Sequence, residues 1–207
     1  MSPLPTHLVD RWRQRSDQQP GQGMLYWHAL LRDQPEVVAM VQRAQERLEP
    51  FADGLHFTPL EWLHVTSLVV GPTQDLDEPA LEALVAEGRR RLAGVPARQL
   101  EIGRVLYHPE AIMLAVEPVK AVAPVREAAR AATFAVTGHG GLPESDPWMP
   151  HITVAYSTSS RSAAEIIEAL GRGFPRGRVL LDSLCLVDQV GPERSWDWHE
   201  RARLSLG

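Results

Sequence analysis

The spacing of apolar residues along the chain predicts alternating strands and helices. Residues 24–31 are rich in apolar and aromatic strand formers and predict a central strand. After Pro35 the apolar residues recur at helical spacing, and Asp33 and Glu36 have the spacing of an N-terminal capping box. By the same reasoning, strands are predicted over 55–70, 99–107, 111–117, 148–156, 178–188 and 195–206, and helices are predicted to begin near Asp77, Val122 and Ser162. The helix near Val122 is expected to end at Gly138, in the left-handed conformation.

Two of the predicted strands contain the same short motif. His64 and Thr66 flank one apolar residue in the first strand, and His151 and Thr153 flank one in the second. Because residues two apart on a strand project from the same face, each motif places an imidazole beside a hydroxyl. One such motif occurs by chance in many proteins, but two copies in matched apolar surroundings indicate a repeated functional unit.

The two histidines are 87 residues apart, and the same offset relates other parts of the chain. Shifted by this offset, the strand at 24–32 coincides with an apolar run at 111–119, and the helix that starts at Pro35 nearly coincides with the one near Val122. We therefore expect an internal duplication in which each unit reads strand, helix, motif strand, helix, strand. Two such units related by a pseudo-twofold axis would face their histidines across one cleft.

The expected fold class is α+β, with a bilobal and duplicated architecture. Two pseudo-twofold-related lobes, at about 24–107 and 111–207, are expected to carry antiparallel sheets that flank a central cleft. Together the lobes form a single domain over 24–207. Residues 1–23 are polar and contain three prolines, so we expect a loosely attached N-terminal arm there.

Composition and charge narrow the range of functions. The formal net charge is −5 and the pI is about 5.9, so no broad basic field is available for a long polyanion, and a nucleic-acid substrate should be small or held by a local patch. Cys185 is the only cysteine, which excludes a disulfide or a cysteine zinc site within one chain. No apolar run approaches the roughly 18 residues that a membrane-spanning helix needs. We expect a soluble, cytoplasmic monomer with no membrane partner.

The paired motifs supply the groups needed for in-line displacement at phosphorus. Histidine titrates near neutrality, so His64 and His151 across a cleft can act as one acid and one base. The adjacent hydroxyls of Thr66 and Thr153 can donate hydrogen bonds to the non-bridging oxygens, where negative charge accumulates. This chemistry requires neither a metal nor an organic cofactor, and the chain has no His-Glu-x-x-His motif and no glycine-rich phosphate loop.

Aromatic residues on or beside the strands expected to line the cleft are candidates for stacking on a nucleobase. The set comprises Tyr26, His28, Trp62, Trp148 and Tyr156. Packing in the core is the expected role of most of them. Tyr156 and Trp148 are the best candidates for contact with a substrate.

The paired His-x-Thr motifs, separated by about half the chain, resemble those of the two-histidine phosphoesterase superfamily, in particular its 2′-5′ RNA ligase-like and cyclic phosphodiesterase members. The resemblance covers roughly 24–206 and rests on the motifs and the order of elements. It implies metal-independent hydrolysis of 2′,3′-cyclic phosphates or 2′-5′ linkages in nucleotides or RNA ends. It also implies that His64 and His151 form the catalytic pair and that the motif threonines, Thr66 and Thr153, bind the phosphate. The alternative is a non-catalytic module with the same fold that binds a nucleotide or a protein.

Overall fold

Antiparallel strands and four α-helices make up the protein in a computed structural model that describes residues 4–13, 21–143 and 148–207. The strands are β1 (His7–Leu8), β2 (Gly23–Leu30), β3 (Leu55–Phe57), β4 (His64–Pro72), β5 (Arg98–His108), β6 (Ala111–Glu117), β7 (His151–Ser157), β8 (Arg161–Ser162), β9 (Gly173–Leu181), β10 (Ser183–Val190) and β11 (Trp198–Ser205). The helices are α1 (Pro35–Leu48), α2 (Glu78–Leu92), α3 (Val119–Thr137) and α4 (Ala164–Leu170). The predicted α+β class is confirmed.

Nine of the strands form one antiparallel sheet whose strand order mirrors itself about its centre. The order is β11-β10-β2-β4-β7-β6-β5-β9, and β3 pairs with β7 at the side. At the centre, β4 and β7 share a single residue pair, Val65 with Ile152. We call β11, β10, β2 and β4 the first half of the sheet, and β7, β6, β5 and β9 the second half. Each half has its motif strand innermost, as the predicted pseudo-twofold arrangement requires.

The two halves do not follow the lobe boundaries at 24–107 and 111–207 that the sequence suggests. Strand β5 lies in the second half because it forms a tight hairpin with β6, and β10 and β11 lie in the first half because β10 pairs with β2. The single strand predicted over 178–188 is in fact two strands, which separate at Asp182 and belong to different halves. The first half is therefore built from both ends of the domain, and the second half from its middle.

The helices cover one face of the sheet and enclose the hydrophobic core. Helices α2 and α3 pack on the first half, while α1 packs on the second half with α4 against it. Trp27 of β2 is fully buried, and its indole Nε1 donates a hydrogen bond to Thr133 Oγ1 of α3 at 3.1 Å. Truncating a buried side chain of this size typically costs about 3–5 kcal/mol. The side chains of the two motifs project from the other face of the sheet, which these helices do not cover.

Local sequence signals place the ends of two helices as predicted. Asp77 caps α2, because its side chain accepts a hydrogen bond from the backbone N–H of Ala80 at 2.9 Å. Gly138 ends α3 in the left-handed conformation, with a φ of 76°. Both signals act through neighbouring residues alone, which is why the sequence suffices to find them.

The start of α1 differs from the prediction. The capping box at Asp33 and Glu36 is wrong, since the N-cap residue is Gln34 and its side chain makes no capping hydrogen bond. The Gln34 amide instead bonds to the backbone N–H and C=O of Leu180 in β9, at 2.8 and 2.7 Å. Glu36 accepts from the backbone N–H of Arg178 in the same strand at 3.2 Å. Contact with a distant strand has therefore replaced the local cap.

The segment predicted to be a loosely attached arm is anchored to the domain wherever the structure describes it. Residues 4–13 include β1, which pairs with β8, and both Leu8 and Trp12 are buried. The expectation of loose attachment is wrong for this part, because its partners lie far along the chain and leave no local signal. The rest of the predicted arm up to β2 includes 1–3 and 14–20, which lie outside the described residues.

Candidate active site

The pairing of β4 with β7 brings the two motifs together. Val65 and Ile152 pair across the strands and are buried in the core on the helix-covered face. Their neighbours in sequence therefore project from the opposite face. Because the strands are antiparallel, the histidine of each motif lies opposite the threonine of the other. We call this group the motif cluster, and it consists of His64, Thr66, His151 and Thr153.

The two histidines are held in the same way. In each, ring Nδ1 lies 2.7 Å from a backbone carbonyl oxygen two residues earlier, that of Trp62 for His64 and that of Met149 for His151. A carbonyl oxygen can only accept a hydrogen bond, so Nδ1 carries the proton in both rings. Nε2 is then the proton acceptor of the neutral imidazole, or the second N–H donor of the imidazolium. The two motifs therefore share the tautomer of their histidines as well as their sequence.

The members of the motif cluster differ in exposure. His64 is 7% exposed and Thr153 is 4% exposed, whereas His151 and Thr66 are half-buried. Burial lowers the pKa of His64 to about 4; the hydrogen bond to Trp62 raises it by a smaller amount, and the charge of His151 lowers it further. His64 is therefore neutral at pH 7.

Aromatic side chains of the first half surround His64. Its ring centre lies 4.4 Å from that of His28 and 4.8 Å from that of Trp198. His28 is itself stacked on Tyr26 at 4.8 Å and on Trp198 at 5.0 Å. Trp196 lies somewhat farther away, with its ring centre 6.4 Å from that of His64. These rings occupy space that water would otherwise take, which explains the burial of His64.

His28 is a neutral histidine at the base of this aromatic group. It is 1% exposed, and neither ring nitrogen has a hydrogen-bond partner among the described residues. Leaving a buried polar group unpaired costs about 1–3 kcal/mol. Burial, and then the charge of the neighbouring His64, lower the pKa of His28 well below its ordinary range. At pH 7 His28 is a neutral imidazole ring that packs against His64.

The loop before β11 lies beside the motif cluster, and its Trp196 is near both His64 and Tyr156. Its Trp196 has a φ of 53°, a left-handed conformation that costs about 1–2 kcal/mol for a residue with a side chain. The indole Nε1 donates to Nε2 of His56 at 3.0 Å, and the two rings are stacked at an interplanar angle of 11°. Arg11 of the N-terminal segment forms an ion pair with Glu193 of the same loop, at 2.6 Å between Nη2 and Oε1. These contacts hold the strained residue beside the candidate site.

The two aromatic residues predicted to contact a substrate are each in contact with an arginine. The guanidinium of Arg11 lies 4.3 Å from the centre of the Tyr156 ring, and that of Arg126 lies 4.7 Å from the centre of the Trp148 ring. Tyr156 is buried and meets Trp12 edge-on at 5.7 Å. Trp148 is half-buried and packs against the main core. Their role in stacking on a base stays a prediction.

The contribution of the last strand is missing from the sequence-based prediction. The strand predicted over 195–206 is found as β11, but the prediction does not include the contact of Trp196 and Trp198 with His64. The one available signal is the occurrence of two tryptophans within three residues. Similarly, His28 is recognisable as a cleft-face residue from the sequence, whereas its contact with His64 depends on which strand lies beside β2.

The polar groups of the motif cluster are two imidazoles and two hydroxyls. Across 4–13, 21–143 and 148–207, no three His, Cys, Asp or Glu side chains are grouped so that they could hold a metal ion. The chemistry that this site offers from its own side chains is therefore proton transfer and hydrogen bonding.

No helix in the described part of the chain combines the length and apolar character needed to cross a membrane.

Several solved structures have the same fold. TT0787 of Thermus thermophilus is 22% identical, with a TM-score of 0.66 over 88% of this chain and 97% of that one. E. coli LigT in its apo form is 14% identical, with a TM-score of 0.65 over 92% and 99% of the respective chains. The MHV ns2 PDE domain is 15% identical, with a TM-score of 0.54 over 84% and 99%. At these identities the likeness shows the fold alone.

Family membership comes from the sequence itself. No curated protein matches the chain. The family model described as the 2′-5′ RNA ligase superfamily, however, matches residues 32–193, a range that includes both motifs and most of the domain. This match confirms the resemblance to two-histidine phosphoesterases that the motifs suggest. The chain belongs to the 2′-5′ RNA ligase superfamily.

Proposed function

We propose that the protein is a metal-independent phosphodiesterase that hydrolyses a 2′,3′-cyclic phosphate, or a related cyclic or 2′-5′ phosphodiester, of nucleotides or RNA ends. The observation that carries this proposal is the identical Nδ1 anchoring of His64 and His151 on the two central strands. It fixes both rings in the tautomer whose Nε2 can exchange a proton. A histidine retained only for packing has no need of a second copy held by the same hydrogen bond. Membership of the superfamily supports phosphodiester chemistry.

Hydrolysis in this site needs one neutral and one protonated imidazole. The neutral ring accepts a proton from water while the water oxygen attacks phosphorus, and the protonated ring gives its Nε2 proton to the leaving ribose oxygen. In-line displacement places the attacking and leaving oxygens on opposite sides of phosphorus, and the two histidines come from opposite halves of the sheet. Thr66 and Thr153 donate hydrogen bonds to the non-bridging oxygens, where charge builds up in the transition state.

A nucleotide or the end of an RNA is the proposed substrate. The net charge of −5 argues against binding a long stretch of nucleic acid. E. coli LigT, which has the same fold, has been crystallised with ATP, 3′-AMP, NADP+ and phosphate, and this supports a nucleotide ligand here. Tyr156 and Trp148 are the proposed base-contacting residues. All four members of the motif cluster come from one chain, so the proposed enzyme needs no second subunit to complete this cluster.

The proposal is tested by hydrolysis of the four nucleoside 2′,3′-cyclic phosphates in the presence of EDTA. The proteins compared are the wild type, His64→Gln, His151→Gln and, as a matched control, His7→Gln, whose histidine is exposed on β1. Removing the acid or the base is expected to lower kcat by about 10²–10⁴-fold, while the control keeps wild-type activity. Phosphorus NMR of the product identifies the phosphate isomer and hence the oxygen that leaves.

Three results would contradict the proposal. Turnover that survives in His64→Gln or His151→Gln would exclude the two-histidine mechanism, provided that circular dichroism shows both variants to be folded. Turnover abolished by EDTA would exclude metal independence. If the wild type binds nucleotides but hydrolyses neither the cyclic phosphates nor 2′-5′ linked dinucleotides, the non-catalytic binding module is the better interpretation.

A further inference from the structure

The two motifs are related by symmetry, but the strands beside them are not equivalent in chemistry. In the first half, the residue opposite Thr66 on the neighbouring strand β2 is His28. In the second half, the residue opposite Thr153 on the neighbouring strand β6 is Met113. The two positions correspond, because each lies across from the motif threonine on the strand next to the motif strand. At this position a third histidine adjoins the first motif, whereas a methionine adjoins the second.

We propose that His28 is a positioning residue that makes the two catalytic histidines unequal: by covering the ring of His64 it keeps that imidazole neutral in the free enzyme, so that His64 is the base and His151 is the acid. This inference rests on the function proposed above and adds the assignment of the two roles. It also names a residue outside both motifs on which that assignment depends.

The contact between the two rings determines how His28 acts. Their centres are 4.4 Å apart and their planes are inclined by 45°. Neither nitrogen of His28 has a hydrogen-bond partner among the described residues, and Nδ1 of His64 is already bonded to the carbonyl of Trp62. His28 therefore gives His64 no hydrogen bond that would stabilise a positive charge. Its effect is to exclude water from one side of the ring, which disfavours the charged form.

Other titratable groups of the described residues also face this pair of rings. Tyr26 stacks on His28, and Cys185 of β10 lies opposite His28 in the strand register. Burial raises the pKa of Cys185 to about 11, so the thiol stays uncharged near neutrality. On the side of His64, the charge of His151 disfavours protonation of His64, whereas Glu193 favours it and is held in an ion pair with Arg11. The neutral form of His64 therefore does not depend on any single charged neighbour.

His151 has surroundings suited to the opposite role. It is half-buried, whereas His64 is 7% exposed, so water reaches the His151 ring and can solvate its charged form. In the reaction, Nε2 of His64 takes a proton from water as the water oxygen bonds to phosphorus. The bond from phosphorus to the ribose oxygen breaks, and that oxygen takes the Nε2 proton of His151. Proton exchange with solvent then restores neutral His64 and protonated His151.

The order of protonation can be measured without a substrate. Carbon–proton NMR of protein labelled at histidine Cε1 follows each ring over the pH range in which circular dichroism shows an intact fold. The His64 and His151 signals are assigned from their loss in His64→Gln and His151→Gln. We expect the His64 signal to shift at lower pH than the His151 signal in the wild type. The reverse order would overturn the assignment whether or not a substrate has been found.

Substitutions at His28 test the cause. His28→Ser admits water and is expected to raise the midpoint of the His64 titration towards 6.5, whereas His28→Phe keeps a ring in place and should leave it low. Met113→Ser makes the corresponding change in the other half and should leave His64 unaffected. An unchanged His64 midpoint in His28→Ser, an equal rise in His28→Phe, or an equal rise in Met113→Ser would each overturn the proposal.

The pH profile of kcat/KM supplies an independent readout. The acid limb reports protonation of the base. With a His64 pKa of about 4, the wild type retains most of its plateau rate at pH 5. If His28→Ser gave His64 an ordinary histidine pKa of about 6.5, the rate of this variant at pH 5 would be about 30-fold below its own plateau rate. An acid limb that stays in place while the NMR midpoint moves would show that His64 is not the base.

Discussion

Lowering the pH from 7 to 5 should destabilise the protein, and His64 should account for about 2 kcal/mol of the loss. The folded protein holds this imidazole neutral with a pKa of about 4, whereas the unfolded chain takes up a proton near pH 6.5. Between these values the unfolded state binds more protons than the folded state, so stability falls as the pH falls. At pH 5 an ordinary histidine is almost fully protonated and His64 only about one-tenth, and this difference gives the stated free energy.

The assay is urea unfolding followed by tryptophan fluorescence, at pH 7 and pH 5, for the wild type, His64→Gln and His7→Gln. His64→Gln removes the titrating group, so its loss of unfolding free energy between the two pH values should be about 2 kcal/mol smaller than that of the wild type. His7→Gln should behave as the wild type does. His28, whose pKa burial also lowers, acts in the same direction, so His28→Phe should reduce the pH dependence as well.

The reasoning would be refuted by equal unfolding free energies of the wild type at pH 7 and pH 5. It would also be refuted if His64→Gln kept the full wild-type pH dependence. The slope of free energy against urea concentration must be the same for the proteins compared, because a changed slope would mean that the unfolded or folded state itself had changed.

Two further predictions concern stability at fixed pH. Trp196 has a φ of 53°, and alanine keeps the strain of this left-handed conformation whereas glycine does not. The free energy of unfolding of Trp196→Ala should therefore be about 1 kcal/mol lower than that of Trp196→Gly. Equal stability of the two variants in urea titrations would contradict this prediction. Gly88→Ala in α2 would raise helix propensity, but its Cβ would lie 2.8 Å from atoms of both Trp27 and Leu204. We therefore expect the free energy of unfolding to fall by about 1–2 kcal/mol in the same assay. A gain in stability would show that the core can accommodate the methyl group.

The sequence predicts the features of this fold that depend on short-range periodicity. The alternation along the motif strands places the histidine and threonine of each motif on one face, and the pairing of Val65 with Ile152 confirms that the intervening residues face the core. The caps at Asp77 and Gly138 are likewise local and are found as expected. In each case the physical cause acts within about four residues.

The features that the sequence misses depend on partners far along the chain. Glu36 has the spacing of a capping residue, but the backbone N–H of Arg178 competes for it once α1 packs on β9. The arm around Leu8 looks loosely attached until β8 is known to lie beside it. The contacts of Trp198 with His28 and His64 require β11 to lie next to β10 and β10 to lie next to β2. No local pattern in residues 195–206 predicts that strand order.

The strand order determines when each half of the sheet can form as the chain is synthesised. All four strands of the second half lie between residues 98 and 181, so that half can pair as soon as this segment has left the ribosome. The first half has β2 and β4 early in the chain but must wait for β10 and β11, which end at residue 205. Until then His28 lacks the indole of Trp198 that stacks on it, and one side of His64 is open to water. Both motifs are therefore present well before the surroundings that set the protonation of the first are in place.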